Sequence, residues 1–233
     1  MRTIAIIPAG GSGKRMQGSL SKQYLLLNGI PVLAHTLMVF QCTPMIHDVL
    51  LVVPAGDIEF VIKTIIEKYG VSKVSQVLPG GKERQDSVKK GLDAAGDDYD
   101  VVVIHDGVRP FISEELIRLS VLEACKEEAV TTGVPVKDTI KMVDQSGWIL
   151  ETLSRNRLWL TQTPQAFKRE VIKEAYRSAY DDHFYGTDDA SLVERIGVRV
   201  KMLPGSYENI KITTKEDLLF AEGFMKGRMM KDQ

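Results

Sequence analysis

The sequence predicts an α/β fold, a mostly parallel sheet covered by helices on both faces, and two features carry that expectation. Short apolar runs at Thr3–Ile7, Val49–Val53, Val74–Leu78 and Val101–Ile104 lack polar alternation, as strands buried on both faces do. Stretches of helical periodicity separate them, the rhythm of right-handed crossovers feeding a parallel sheet.

The elements follow in order. Residues 31–41 read as a helix with Pro31 at its first position, where no N–H partner is lost. Residues 57–69 space Ile58, Val61, Ile62, Ile65 and Ile66 along one face. Helices are also expected over 83–95 and 113–126, the latter with Ser113 as N-cap. The rhythm breaks near Pro135. Residues 136–153 read as a β-hairpin, Thr139–Val143 and Trp148–Leu150 around an Asp144-Gln145-Ser146-Gly147 turn. An isolated hairpin is marginal in water, so this arm is expected to pack against a second subunit or the main body. Helices resume from Lys168, with Thr187 and Thr214 as caps, and Thr214-Lys215-Glu216-Asp217 is close to a capping box. No repeat or linker interrupts the chain, so residues 1–233 are expected to form one domain, with 136–153 a projecting arm used in dimerisation.

Composition excludes several classes. The 233 residues suffice for a sizeable core, and a net charge of -1 provides no global basic field for nucleic acid or an anionic membrane. No apolar stretch approaches the roughly 18 residues of a spanning helix, and the run before Pro8 is too short for a signal-peptide core. Cys42 and Cys125 stand far apart, and His35, His47, His105 and His183 form no ligand pattern. The expected location is the cytoplasm.

Three strand exits carry chemistry. After the first strand comes Pro8-Ala9-Gly10-Gly11-Ser12-Gly13-Lys14-Arg15-Met16, then Ser21-Lys22-Gln23-Tyr24. Glycines bring backbone N–H groups against an anion, Arg15 and Lys22 add charge, and ligands of open parallel sheets sit beyond the strands' carboxyl ends. A P-loop is excluded by Pro8 and Arg15, and a dinucleotide fingerprint by Met16. The remaining pattern is typical of nucleotidyltransferases. After the third strand, Pro79-Gly80-Gly81-Lys82-Glu83-Arg84-Gln85-Asp86-Ser87 opens a helix on the same rim. The fourth ends His105-Asp106-Gly107-Val108-Arg109-Pro110, where Asp106 is placed to help hold Mg²⁺, or another divalent cation, near phosphates.

With these segments in order, the sequence resembles the 2-C-methyl-D-erythritol 4-phosphate cytidylyltransferases of the non-mevalonate isoprenoid pathway along nearly its whole length. The likeness continues through Pro135–Thr139, Arg155–Trp159, Gln162–Gln165, Thr187–Ser191 and Asn209–Lys211. It implies a Rossmann-like three-layer sandwich of the nucleotide-diphospho-sugar transferase kind. CMP passes from CTP to a small phosphorylated polyol, with Arg15 and Lys22 as the catalytic cations. By resemblance Pro8, Ala9, Gly10, Gly11, Gly13, Arg15, Lys22, Gly80, Gly81, Lys82, Ser87, Asp106 and Gly107 bind CTP. Asp106, Arg109, Thr139, Arg155, Thr187 and Lys211 bind the acceptor, and Asp106 takes the metal. The family is homodimeric, with exchanged arms and Arg109 and Thr139 supplied by the partner. Departures are Gly107-Val108 in place of the frequent Ala-Ala, expected to loosen the backbone, Ser21 in place of Pro, and Lys82 where an acid is common. Spacing alone does not select the base. Ribitol-5-phosphate cytidylyltransferase and a catalytically inactive nucleotide-binding sensor are the alternative readings.

The chemistry implied needs no general base. A phosphate monoester, with its second pKa near ~6, is already a dianion at neutral pH. Charge build-up around the α-phosphorus is then the barrier, and positioned cations are its remedy.

Overall fold

The computed structural model describes residues 1–10 and 21–231. The strands are β1 (Thr3–Pro8), β2 (Leu26–Leu27), β3 (Ile30–Pro31), β4 (Asp48–Val53), β5 (Val74–Pro79), β6 (Val101–Ile104), β7 (Ala129–Pro135), β8 (Lys141–Val143), β9 (Ile149–Thr152), β10 (Trp159–Lys168) and β11 (Lys201–Pro204). The helices are α1 (Val32–Cys42), α2 (Ile58–Val61, continued as a π-helix over Ile62–Glu67), α3 (Arg84–Ala95), α4 (Glu114–Glu127), α5 (Arg169–Asp181), α6 (Asp189–Arg195) and α7 (Lys215–Lys231).

The main sheet runs β11-β7-β10-β6-β1-β4-β5. β1 pairs in parallel with β4 and β6, β4 with β5, and β11 with β7, while β10 is antiparallel to both its neighbours. Alternate residues of one strand serve opposite cores. Ala5, Ile7, Leu51 and Val103 pack with Leu33 of α1, Ile65 and Ile117 of α4. Their neighbours Ile4, Ile6, Leu50 and Val102 pack with Val88 of α3, Ile172 of α5 and Leu192 of α6. Two-sided burial therefore explains the unbroken apolar runs. A third cluster, Leu27, Val32, Val108, Phe111, Ile212 and Ala221, lies under α7.

Caps follow side-chain chemistry. Ser113 Oγ accepts the Leu116 N–H at the start of α4. At α7, Thr214 Oγ1 accepts the Asp217 N–H while Asp217 accepts the Thr214 N–H, a reciprocal capping box. At α6 the cap is Asp188, which accepts the Ser191 N–H, one residue beyond the expected Thr187. β8 and β9 form a separate two-stranded sheet whose residues are all exposed. Asp144 Oδ1 accepts the N–H groups of Ser146 and Trp148 and fixes the hairpin turn. Its apolar side chains are largely exposed, Trp148 by 75%.

Gly91 places α3 directly on β1. An added Cβ there would stand 2.6 Å from Ile6 Cγ2, which is fully buried. Alanine ordinarily gains about 1 kcal/mol over glycine inside a helix, but overpacking a close-fitted core costs about 1–3 kcal/mol. Gly91→Ala is therefore expected to lower stability in urea unfolding, by about 1 kcal/mol net. Unchanged or greater stability would mean the α3–β1 contact is looser than this geometry.

Candidate active site

Because β1, β4, β5 and β6 are parallel, their carboxyl ends share one rim. Backbone bonds close it: Ala9 N–H donates to Val52 O, Gly80 N–H to Val53 O and Gly107 N–H to Pro8 O. Gly107 thus ties the exits of β1 and β6 together through its backbone. Two hollows open on this rim. The first, ≈ 430 Å³, is lined by the β1 exit at Pro8, Ala9 and Gly10, by Lys22, by the Gly81–Arg84 turn with Ser87, and by Asp106 and Lys211. The second, ≈ 440 Å³, is lined by polar groups of β7, β10 and the turn into α6, among them Thr131, Thr163 and Thr187, together with Arg109. Arg84, Asp106 and Lys211 line both, and so form the wall between them.

Asp106 is the hub of that wall. Its Oδ1 accepts from Arg84 Nε at 2.9 Å, and its Oδ2 lies 2.8 Å from Lys211 Nζ and 3.6 Å from Arg109 Nε. Burial alone would push this carboxyl up. The three cations outweigh it and hold the group well below the usual carboxylate range. Arg84 in turn reaches Asp189 with Nη2 at 2.8 Å. Burial disfavours its charge, but Asp189 and Asp106 more than offset that.

His105 holds the strand exit from behind. It is fully buried and lines neither hollow. Its Nε2 faces the Arg109 carbonyl at 3.3 Å, an acceptor only, so Nε2 carries the proton. Nδ1 then accepts from the Thr163 hydroxyl at 3.0 Å, and Thr163 Oγ1 accepts the Asp106 N–H at 3.1 Å. Thr163 stands in the bulge where the β10 register shifts between Gln162 and Gln165, freeing it from the ladder to face Asp106.

The second glycine turn is built for close approach. Ser87 Oγ accepts the Gly81 N–H at 3.0 Å, and Asp86 closes a capping box with Glu83. A Cβ on Gly81 would fall 2.2 Å from Asp86 Cβ, so only glycine fits. Tyr180 and Tyr185 both donate their hydroxyls to Asp86 Oδ1, at 2.6 and 3.0 Å.

Of the residues singled out in the sequence, Pro8, Ala9, Gly10, Lys22, Gly81, Lys82, Ser87, Asp106 and Lys211 line the first hollow. Gly80 and Gly107 support its floor through the rim bonds. Gly11, Gly13 and Arg15 lie outside the described residues. Arg109 and Thr187 line the second hollow with Asp106 and Lys211. Arg109 lines its own chain's hollow, where its Nη1 donates to Asn209 O. Thr139 and Arg155 are exposed and line neither hollow, and Arg155 donates to Lys137 O at the base of the arm. Among the described residues, no cluster of three or more metal-ligating side chains occurs. Sequence reading assigned no role to Arg84, Asp189, Thr163 or Gln165, although Arg84 stands inside the second glycine turn and the other three lie in segments that carry the resemblance.

A family model described as 2-C-methyl-D-erythritol 4-phosphate cytidylyltransferase matches residues 3–227. A protein of that name from Syntrophus aciditrophicus is 52% identical over 97% of this chain and 96% of its own. One from Geobacter metallireducens is 47% identical over 98% and 100%. Among solved structures, the 4-diphosphocytidyl-2C-methyl-D-erythritol synthase of Anaerococcus prevotii superposes with a TM-score of 0.85 at 36% identity, covering 97% of this chain and 96% of that one.

Burial lowers the His105 pKa from 6.5 to about 3. Between those values the unfolded chain binds a proton that the folded one refuses, so stability is full above about pH 6.5 and falls as pH drops towards 3. Acidifying from about pH 7 to 5 is expected to cost about 2 kcal/mol through this group. Asp106, with its pKa depressed, adds a loss only at pH below the ordinary carboxylate range. Urea titrations at both pH values should show a shallower loss in His105→Gln. Equal losses would place a proton on the folded imidazole.

Proposed function

The chain belongs to the 2-C-methyl-D-erythritol 4-phosphate cytidylyltransferase family, and on that premise we propose how its two hollows divide the reaction. It transfers CMP from CTP to the phosphate of 2-C-methyl-D-erythritol 4-phosphate, giving 4-diphosphocytidyl-2-C-methyl-D-erythritol and pyrophosphate in isoprenoid precursor biosynthesis. The first hollow takes CTP and the second takes the acceptor. The wall of Arg84, Asp106 and Lys211 common to both carries this assignment, because a transferred group must stand where the two substrates meet.

An oxygen of the acceptor's phosphate dianion attacks the α-phosphorus of CTP. A new phosphoanhydride bond forms as the bond to the β-phosphate breaks, and pyrophosphate leaves. No base is required, and the imidazole closest to the site is buried, neutral and off both linings. The first hollow sets four cations, Lys22, Lys82, Arg84 and Lys211, against two carboxylates, Glu83 and Asp106. Arg15 joins Lys22 as the catalytic pair. These charges face the phosphates in a partly enclosed site, where they act more strongly than in water.

A divalent cation, Mg²⁺ or another, fits as a companion of the triphosphate. Asp106 is the ionised carboxylate at the wall, and magnesium is satisfied by one carboxylate with substrate oxygens and water. When bound, it supplies charge neutralisation on the phosphates. The protein works in the cytoplasm as a homodimer. Its arm, with Trp148, Ile149 and Leu150 between 60% and 75% exposed, is the surface that a second copy covers.

Lys22→Ala should lower kcat by about 10²–10³. Arg155→Ala should raise KM for the acceptor by tenfold or so while leaving KM for CTP nearly unchanged. Pyrophosphate assays with each ribonucleoside triphosphate, and with methylerythritol phosphate or ribitol phosphate, check both. Lys22→Ala turning over within about twofold of wild type would remove that lysine from the mechanism. Trp148→Lys is expected to shift the sedimenting species towards monomer. A dimer undisturbed by that charge would exclude the arm from the interface.

A further inference from the structure

Asp189 is a buried carboxylate, 1% exposed, that lines neither hollow. Three contacts fix it nonetheless, and a fourth steadies its neighbour. Its N–H donates to Gln165 Oε1 at 3.0 Å, as does the N–H of Ala190. Tyr176, fully buried in α5, donates its hydroxyl to Asp189 Oδ1. Oδ2 receives Arg84 Nη2 at 2.8 Å. Gln165 is itself anchored, donating to Thr131 Oγ1 and Asp188 Oδ2, both at 2.7 Å. The carboxylate thus belongs to a rigid frame of α5, α6, β7 and β10.

The three cations around Asp106 differ in how they are held. Arg84 is gripped from both sides, by Asp106 through Nε and by Asp189 through Nη2. Lys211 is a point charge on a flexible stem with its side chain 37% exposed. Arg109 stands off Asp106 at 3.6 Å, and its Nε has no hydrogen-bond partner among the described residues. Arg109 is tied elsewhere, its Nη1 donating to Asn209 O at 2.7 Å. Incoming phosphates can therefore recruit Lys211, whereas Arg84 cannot follow without abandoning a second buried carboxylate.

We propose that Asp189 is a positioning residue for CMP transfer. Acting through Arg84, it pins the Asp106 carboxylate in the wall between the two hollows when substrate phosphates draw Lys211 away. The proposal rests on the two-hollow reading above and adds to it a residue that touches neither substrate. It assigns the orientation of the wall to the frame behind it, so that a change at Asp189 is felt in turnover more than in binding.

The test is steady-state pyrophosphate release with CTP, acceptor and Mg²⁺. Asp189→Asn keeps the shape and a hydrogen bond to Tyr176 but removes the charge that grips Arg84. It is expected to lower kcat about tenfold while both KM values stay within about threefold. Arg84→Lys, which cannot span two carboxylates, should fall at least as far. The double variant should be no worse than Arg84→Lys by more than about twofold, because both changes release the same constraint. Multiplying losses, an Asp189→Asn kcat within about twofold of wild type, or KM rising as much as kcat falls would each overturn the proposal. If Asp189→Asn fails to fold, Tyr176→Phe decides, with about threefold lower kcat expected and an unchanged kcat counting against the coupling. Wild-type protein that releases no pyrophosphate would sink the two-hollow reading itself, a result distinct from an active wild type with indifferent variants.

Discussion

A single carboxylate holds the working end of this fold together. Asp106 lies at the exit of β6, and its counter-ions come from the start of α3, from three residues downstream, and from the segment ahead of α7. Burying it unpaired would cost several kcal/mol, so the fold must deliver those cations to one point. Meeting that requirement draws the second glycine turn, the β6 exit and residues 209–211 onto one rim. Asn209 reinforces the closure, donating to Thr163 O and accepting from Arg109 through its own carbonyl. Electrostatic satisfaction at the strand end and construction of the site are thus one event.

The same arrangement explains how a chain with a net charge of -1 handles a triphosphate. No long-range field draws the nucleotide in. The positive excess is local to the first hollow, within low-dielectric walls where it is least screened. Elsewhere several exposed cations are met by carboxylates. Lys201 with Glu123 and Glu127, and Arg169 with Glu170, are examples. Charge supplied this way suits a reaction whose nucleophile arrives already ionised, and it leaves His105 available for a purely architectural task.

How much of this was legible in the sequence varied with the range of the interactions involved. β1, β4 and β6 were readable because two-sided burial writes itself as unbroken apolar residues, whereas β5, expected to be buried on both faces as well, is the edge strand with Ser75 and Gln76 exposed. β10 was not readable, because Thr161-Gln162-Thr163-Pro164-Gln165 reads as a polar loop. Its polar side chains are satisfied within the protein, Gln162 by Ser206 O and Gln165 by Thr131 and Asp188, bonds that no local pattern foretells. The expectation of a mostly parallel sheet held except around this strand. The hairpin was recognisable from its alternation and turn, although its strands sit slightly later than expected. The glycine turns and Asp106 were found by their position after strands. Arg84 and Asp189 escaped because their pairing spans 105 residues and only the folded chain brings them together.

The second hollow carries a charge argument of its own. Its lining sets Arg84, Arg109 and Lys211 against Asp106, Asp188 and Glu194, which leaves no surplus to receive a phosphate dianion. Asp188 is committed as the cap of α6, so its charge cannot be withdrawn by rotation. Extra cations must therefore come from outside that lining, and Arg155 stands exposed at the foot of an arm whose apolar face is also uncovered. An arm that docked on its own body would satisfy its apolar face but would leave a partner's hollow neutral. The arm exchange proposed above answers both needs together, covering the exposed tryptophan of one copy and offering Arg155 to the hollow of the other. Under that proposal acceptor binding depends on dimerisation, consistent with the marginal stability of a bare hairpin.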